Sequence, residues 1–322
     1  MINIVLCFDK NYFKIGFLFL HTLLSKITEK INIYLILDSP DSFHIYEKKL
    51  KSYKNLNSLN LYQFKEDLSE FKNLVHGHVS EATYYRLFLQ NYLPPEIEYI
   101  FYIDADIVCY QDPTRKLNQA IEKLRKSEYL VSAKTEYNRT NNTNHFEKIG
   151  LQSNNYFNAG VLCIDYQQWL TEEIPLKLID KIKNNNEKLI FWDQDILNKE
   201  IDGDYLELGE ALNFQINLGK RNKDLPIEEL FTEKQITEMT FIHYSGSAKP
   251  WSVRGALYMA SFIYSDAYYD LYREKYNIVN KWRLEACTNF LIEGILKLKI
   301  KNLKYPISFV WIFIKSLVKK SN

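Results

Sequence analysis

The stretch that most constrains this chain is Tyr99-Ile100-Phe101-Tyr102-Ile103-Asp104-Ala105-Asp106-Ile107-Val108-Cys109. Its apolar, β-branched and aromatic residues read as a buried strand, interrupted only by Asp104 and Asp106. An unpaired ion is costly in a low-dielectric interior, so the two carboxylates need compensation. Side chains two apart on a strand share a face. A strand ending here therefore brings both carboxylates to one point at its carboxyl edge. A divalent cation is the natural partner, because hard cations take oxygen ligands and keep positions open for phosphate oxygens. The competing reading is a solvated pair that caps a turn.

The rest of the chain alternates between strand-like and helix-like segments. Ile2–Phe8, Ile31–Leu37, Leu59–Phe64, the Asp104 strand, Tyr129–Ala133, Phe157–Ile164 and Thr240–Tyr244 read as strands. Asn11–Leu24, Asp41–Tyr53, Glu81–Tyr92 (capped by Ser80 and ended by Pro94-Pro95), Thr114–Lys126, Gln167–Lys183 and the start of a helix at Asp193–Lys199 lie between them. Asn138–Asn155 is polar and Asn-rich and reads as a long loop or lid. Such alternation indicates βαβ units and an α/β fold with a mainly parallel sheet.

At 322 residues the chain suffices for one large or two small domains. A net charge of +1 excludes a nucleic-acid electrostatic trap, so no nucleic-acid partner is expected. That charge is unevenly spread: from Lys281 onward there are nine Lys/Arg and two acids, +7, which leaves −6 on residues 1–280. Within this tail, Tyr305–Lys315 is apolar but short of the roughly 20 residues of a membrane span. Flanking lysines with Tyr305 and Trp311 read as an anchor on an anionic membrane surface; a helix packed on the body is the alternative. The expected division is 1–265 as the catalytic domain and 266–322 as a basic helical tail. The expected location is cytoplasmic, peripheral on the inner face of the cytoplasmic membrane. Cys7, Cys109, Cys163 and Cys287 form no C-x-x-C pair and read as small hydrophobes in a reducing compartment.

Ligands of a nucleotide fold lie beyond the carboxyl ends of its strands. The first strand runs into Asp9-Lys10-Asn11-Tyr12, where Asp and Asn can bond a base or ribose edge and Tyr can stack; a helix cap at Asp9 competes with that reading. No G-x-G-x-x-G follows, and no phosphate-binding G-x-x-x-x-G-K-[ST] exists, which argues against dinucleotide enzymes and P-loop NTPases. In Phe241-Ile242-His243-Tyr244-Ser245-Gly246-Ser247-Ala248-Lys249-Pro250-Trp251, His243 leaves a strand, Gly246 permits close backbone approach, and Lys249 offers a point charge for phosphate. Asp104, Asp106 and His243 together make a mixed oxygen and imidazole ligand set, which suits manganese better than magnesium.

Four segments in order carry a specific resemblance: Asp104-Ala105-Asp106, Asn158-Ala159-Gly160-Val161, Asp193-Gln194-Asp195 and His243 to Trp251. They resemble glycosyltransferase family 8, the first matching its D-x-D motif. The likeness is greatest to bacterial lipopolysaccharide or lipooligosaccharide α-galactosyltransferases and their glucosyltransferase relatives. The resemblance implies a GT-A type, Rossmann-like nucleotide-binding fold, a UDP-hexose donor, Mn²⁺ and retention of anomeric configuration. It also implies roles: Asp104, Asp106 and His243 on the metal; Asp9, Asn11 and Tyr12 on uridine; the Ala105 backbone on ribose; Gly246 and Lys249 on the diphosphate; Arg86 near the donor sugar; Asn158, Asp193 and Gln194 on the hexose. His78 matches an acceptor-side histidine. Ser245 and Ser247 stand where relatives that act on lactose-like ends carry Cys and Pro.

For the reaction, the family likeness places Gln194 below the anomeric carbon, where its amide is a poor nucleophile. Same-face attack by the acceptor is therefore expected, the departing phosphate taking the proton, with Asp193 fixing sugar hydroxyls. The expected reaction moves a hexose, galactose favoured and glucose next, to a saccharide or glycolipid acceptor of lipopolysaccharide or a similar surface glycan. A nucleotide-sugar phosphohydrolase and a non-catalytic UDP-sugar-binding membrane module are the alternatives.

Overall fold

Ile2–Phe8 is buried at every position and forms β1, an interior strand of a seven-stranded sheet. The computed structural model describes residues 1–69, 71, 80–184, 189, 191–218, 231–252, 255 and 258–273. The chain divides into two units, Met1–Ala105 with Asp112–Asn213 and Asp106–Gln111 with Phe214–Asn322.

The first unit begins with β1, a single 3₁₀ turn, and α1 (Phe13–Leu24). β2 (Ile31–Leu37), α2 (His44–Leu50) and β3 (Leu56–Gln63) follow. Next come β4 (Tyr99–Ile103), then β5 (Ile107–Cys109) of the second unit, and α3 (Thr114–Arg125) and β6 (Val131–Asn138). The unit closes with α4 (Thr143–Ile149), β7 (Asn155–Asp165), α5 (Tyr166–Thr171), α6 (Ile174–Asn184), α7 (Trp192–Ile201) and β8 (Leu206–Glu207). The sheet order is β3-β2-β1-β4-β7-β6-β8. β1 pairs in parallel with β2 and β4, β2 with β3, and β6 with β8; β4/β7 and β6/β7 are antiparallel. The continuous apolar runs of β1 and β2 suit strands buried on both faces. Phe8, Phe13 and Phe43 meet edge-to-face at 5.1–6.0 Å and lock α1 onto the sheet.

In the second unit β5, β10 (Phe241–His243) and β9 (Phe214–Gln215) form a sheet in the order β5-β10-β9. α8 (Glu233–Glu238) starts with a reciprocal capping box between Thr232 and Gln235. α9 (Phe262–Tyr272) is anchored through Tyr244, whose hydroxyl donates to the Ala260 carbonyl at 3.0 Å.

The mixed, mainly parallel α/β sheet is as the sequence pattern implies, but several segments differ. The run Tyr99–Cys109 is two strands in two sheets, because the Asp-Ala-Asp step has side chains that no apolar sheet face can accept. Glu81–Asn91 is 3₁₀ with a kink at Phe88, not an α-helix: Ala82, Tyr84 and every residue from Tyr85 to Leu89 are buried, more than one helical stripe can present. The expected lid at Asn138–Asn155 instead contains the end of β6 and α4, since His145, Phe146 and Ile149 form a buried face. Gln167–Lys183 is broken at Glu173 (φ 55°), just before Pro175, which has no N–H to continue a helix. The short β8 and β9 and the α8 helix had no signal strong enough to place them.

The expected boundary at residue 266 falls inside α9. Residues 274–322, most of the expected tail including Cys287, lie outside the described residues, as does His78. Cys7, Cys109 and Cys163 are buried and unbridged. Among the described residues, no helix is long and apolar enough to cross a membrane.

α7 is fastened to β7 by Asn198, which is buried. Its Nδ2 donates to Phe157 O at 2.9 Å and its Oδ1 accepts from Phe157 N at 2.8 Å. Asn198→Leu strands both backbone groups, at about 2–4 kcal/mol. Urea denaturation should show that loss; a midpoint unchanged from wild type would contradict it.

Candidate active site

β1, β4 and β7 end or bend around one set of polar side chains in the first unit. At the end of β1, Asp9 is buried, and its Oδ1 accepts from Asn11 N at 2.9 Å. One of its oxygens thus caps the 3₁₀ turn that carries Asn11 and Tyr12. Asn11 is exposed and Tyr12 half-buried.

At the end of β4, the Asp104 N–H donates to Gly160 O at 2.8 Å. Asp104 Oδ1 accepts from Tyr102 Oη at 3.0 Å and from Arg86 Nη2 at 3.1 Å. Arg86 is 8% exposed. Its Nε lies 2.6 Å from Asp193 Oδ2, its Nη1 donates to Ala159 O at 2.6 Å, and its guanidinium sits 4.2 Å over the Tyr102 ring. Burial alone would depress the Arg86 pKa, but Asp104 and Asp193 more than offset it and the net shift is upward. Asp193 is pushed up to about 7, chiefly by burial, with Arg86 pulling down and Asp104 pushing up. Trp192, immediately before it, sits in the left-handed region at φ 48°, a strain of roughly 1–2 kcal/mol for a bulky residue. Strain of this kind concentrates at functional sites.

Beside this cluster Asn158 Oδ1 accepts from Gly160 N and Asn213 Nδ2, each at 2.9 Å. Its Nδ2 donates to Glu136 Oε2 at 3.0 Å. Gln194 Oε1 accepts from Ala159 N at 3.0 Å, and its Nε2 donates to Glu136 Oε2 at 3.2 Å. Arg86, Asp104, Asn158, Asp193 and Gln194 are therefore brought together. Glu136 and Asn213 were not anticipated, because single polar residues outside a motif carry no signal of what they face.

The chain passes from the first unit to the second between Ala105, which is buried, and Asp106. The antiparallel ladder of β5 and β10 aligns His243 with Ile107, and Tyr244 N donates to Asp106 O at 3.2 Å. His243 Nε2 consequently lies 3.4 Å from Asp106 Oδ1. That oxygen is buried without a hydrogen bond of good geometry. Lys249 Nζ donates to Asp106 Oδ2 and, at 2.7 Å, to Tyr244 O. Burial would raise the Asp106 carboxyl, but Lys249 and His243 outweigh it and hold it well below the usual range. An ionised carboxylate with an orphan oxygen beside an imidazole is a fitting donor set for a cation. Asp106 and His243, both in the second unit, are candidate metal ligands, and Asp104 precedes them at the end of β4, two residues before Asp106 in the chain. Between β10 and Lys249, Gly246 has φ 85°, and a Cβ there would meet the Asn217 amide at 2.7 Å.

The sequence profile of glycosyl transferase family 8 matches residues 3–254. The chain belongs to glycosyl transferase family 8. It is 28% identical over 177 residues to a lipopolysaccharide 1,3-galactosyltransferase of Salmonella typhimurium, a match covering 54% of this chain and 50% of that protein. It is 26% identical over 258 residues to a lipopolysaccharide 1,2-glucosyltransferase of Escherichia coli K12, covering 78% and 72%. The chain thus spans about half the length of the Salmonella relative. Among solved structures, the galactosyltransferase LgtC in complex with donor and acceptor sugar analogs superposes with a TM-score of 0.65 at 18% identity, over 84% of this chain and 96% of that one. That likeness establishes a GT-A fold for this family 8 chain.

Two outcomes follow from the site. Asp193 keeps in the folded state a proton that its unfolded counterpart loses near pH 4. The stability it contributes is therefore full below about pH 4 and lost as pH rises through about 7. Melting curves should fall less steeply over that window in Asp193→Asn than in wild type; parallel slopes would contradict the assignment. Gly246→Ala should cost about 2–3 kcal/mol from backbone strain plus the Asn217 contact. Gly150→Ala, at φ 73° with nothing within 4 Å, should cost only about 1 kcal/mol. Equal losses in urea would remove the steric argument.

Proposed function

We propose that this family 8 glycosyltransferase moves a hexose, galactose or glucose, from a UDP-sugar to a saccharide acceptor of lipopolysaccharide or a similar surface glycan, with retention. Family membership supports the transfer chemistry, and the relatives named for lipopolysaccharide galactosyl and glucosyl transfer support the substrate class. The observation that carries the metal-assisted form is Asp106, ionised, with an orphan oxygen 3.4 Å from the His243 imidazole. Asp104, Asp106 and His243 would hold the divalent cation, Mn²⁺ in preference to Mg²⁺ given the imidazole. When bound, it supplies Lewis-acid neutralisation of the charge that builds on the leaving diphosphate.

The chain's own groups do the rest. Lys249 exchanges its contact with Asp106 for a diphosphate oxygen, adding positive charge where negative charge develops. Gly246, lacking a side chain, lets backbone approach that diphosphate. Asp9 and Asn11 bond uridine, Tyr12 stacks on it, and the Ala105 backbone meets the ribose. Arg86 and Asp193, already paired, orient the hexose together with Asn158 and Gln194. The acceptor hydroxyl oxygen forms its bond to the anomeric carbon on the face from which the bond to the phosphate oxygen breaks. The hydroxyl proton passes to that phosphate oxygen. Gln194 stays uncharged below the sugar, and its amide forms no covalent bond. The basic segment from Lys281 keeps the enzyme on an anionic cytoplasmic membrane surface near its glycolipid acceptor.

The test is UDP release and product analysis with a panel of sugar nucleotides, lipopolysaccharide core acceptors and Mn²⁺. Asp104→Ala should lose on the order of 10²-fold or more in kcat. Full activity in that variant would overturn the metal assignment, and free hexose as sole product would overturn transfer itself. A Gln194→Ala enzyme with no measurable transfer would overturn same-face attack.

A further inference from the structure

α4 and the start of α7 bury a second group of ionisable side chains behind Gln194. Asp195 is 0% exposed. Its Oδ1 accepts from Tyr156 Oη at 2.7 Å and lies 2.9 Å from His145 Nε2, and its Oδ2 accepts from Phe191 N at 2.9 Å. Both oxygens are committed to donors within the fold, so Asp195 is not available to attack a sugar, although it directly follows Gln194. His145 is also buried. Its ring lies edge-on to Tyr156 and Phe191 at centroid distances of 5.4 and 5.2 Å.

The polarity of the chain of hydrogen bonds is determined by its ends. Ala159 N–H can only donate, so the Gln194 atom facing it at 3.0 Å is the carbonyl oxygen. The amide nitrogen then faces Tyr156 Oη at 3.2 Å. Tyr156 must donate its own proton onward, because the acceptor beyond it is the Asp195 carboxylate. Burial first, and Asp195 second, hold the Tyr156 phenol well above its usual range, so it remains a donor. The run Gln194 to Tyr156 to Asp195, with His145 closing the far side, admits one orientation of the Gln194 amide.

We infer that Tyr156, braced by Asp195 and His145, is a positioning residue that sets the orientation of the Gln194 amide for sugar transfer. The inference rests on the proposed reading that Gln194 lies under the donor hexose. Arg86 and Asp193 are held by separate contacts, so donor binding does not depend on this relay. Losing the Tyr156 hydroxyl removes one of the two acceptors of the Gln194 amide nitrogen, leaving it held by Glu136 alone and the amide less firmly fixed. The buried phenyl ring keeps its packing in Tyr156→Phe, which makes this the variant of choice.

With the full chain, Mn²⁺ and a UDP-sugar that wild type uses, Tyr156→Phe should lower kcat about tenfold and leave KM for the donor within about twofold. In a Gln194→Ala background the same change should have no further effect, the signature of a residue acting through another. A loss that is additive in that background, or one confined to KM, overturns the positioning role. Wild type inactive toward every UDP-sugar would instead defeat the proposed reaction. A crystal structure of Tyr156→Phe then reads the positioning directly: Gln194 Oε1 leaving the Ala159 N–H supports it, and an unmoved amide overturns it.

Discussion

Arg86 is a fully charged guanidinium inside the protein, and the cost of taking that charge out of water must be met by groups that cannot move away. Asp104 at the end of β4 and Asp193 at the start of α7 meet it, with Ala159 O of β7 and the face of Tyr102 completing the surroundings. One side chain thereby ties together a 3₁₀ segment, two strands and a helix. Removing either carboxylate would leave a buried cation short of its counter-charge, typically a loss of 3–5 kcal/mol. The polar residues that face a sugar in the proposed reaction are thus the same ones that make the burial of Arg86 tolerable. The upward shift of Asp193 reflects the same compromise between burial and pairing.

The two aspartates of the Asp-Ala-Asp step answer to different cations. Asp104 belongs to the first unit and pairs with Arg86, while Asp106 belongs to the second and pairs with Lys249 and His243. A rigid guanidinium fork suits a permanent structural contact, whereas a flexible ammonium can change partners. In the proposed reaction that difference lets Lys249 leave Asp106 for a diphosphate oxygen, while Arg86 keeps holding one oxygen of Asp104.

Around Asn158 and Gln194 the arrangement is governed by saturation. Each amide oxygen and nitrogen there meets a backbone or side-chain partner, and Glu136 accepts from both residues. Buried polar networks of this kind are rigid when complete and costly when broken.

Much of this protein was legible in the sequence. Apolar run lengths located β1 and β2 to the residue, because strands buried on both faces are apolar at nearly every position, with only Asn3 and Asn32 interrupting them. The Asp104 segment announced itself by placing two carboxylates in an apolar run, where only pairing or ligand chemistry makes them tolerable, whereas the Asp193 segment stood out through the family resemblance. Local pattern could not say that Tyr99–Cys109 divides between two sheets, that His145 begins the buried face of a helix, or that Glu136 and Asn213 close on Asn158 from 22 and 55 residues away. Those outcomes depend on which distant donor meets which acceptor. Sequence by itself determined the long buried strands and which charged groups stand in apolar runs. The tertiary structure alone decided how each buried charge and amide is partnered, because hydrogen-bond satisfaction is a property of the packed chain and of no segment within it.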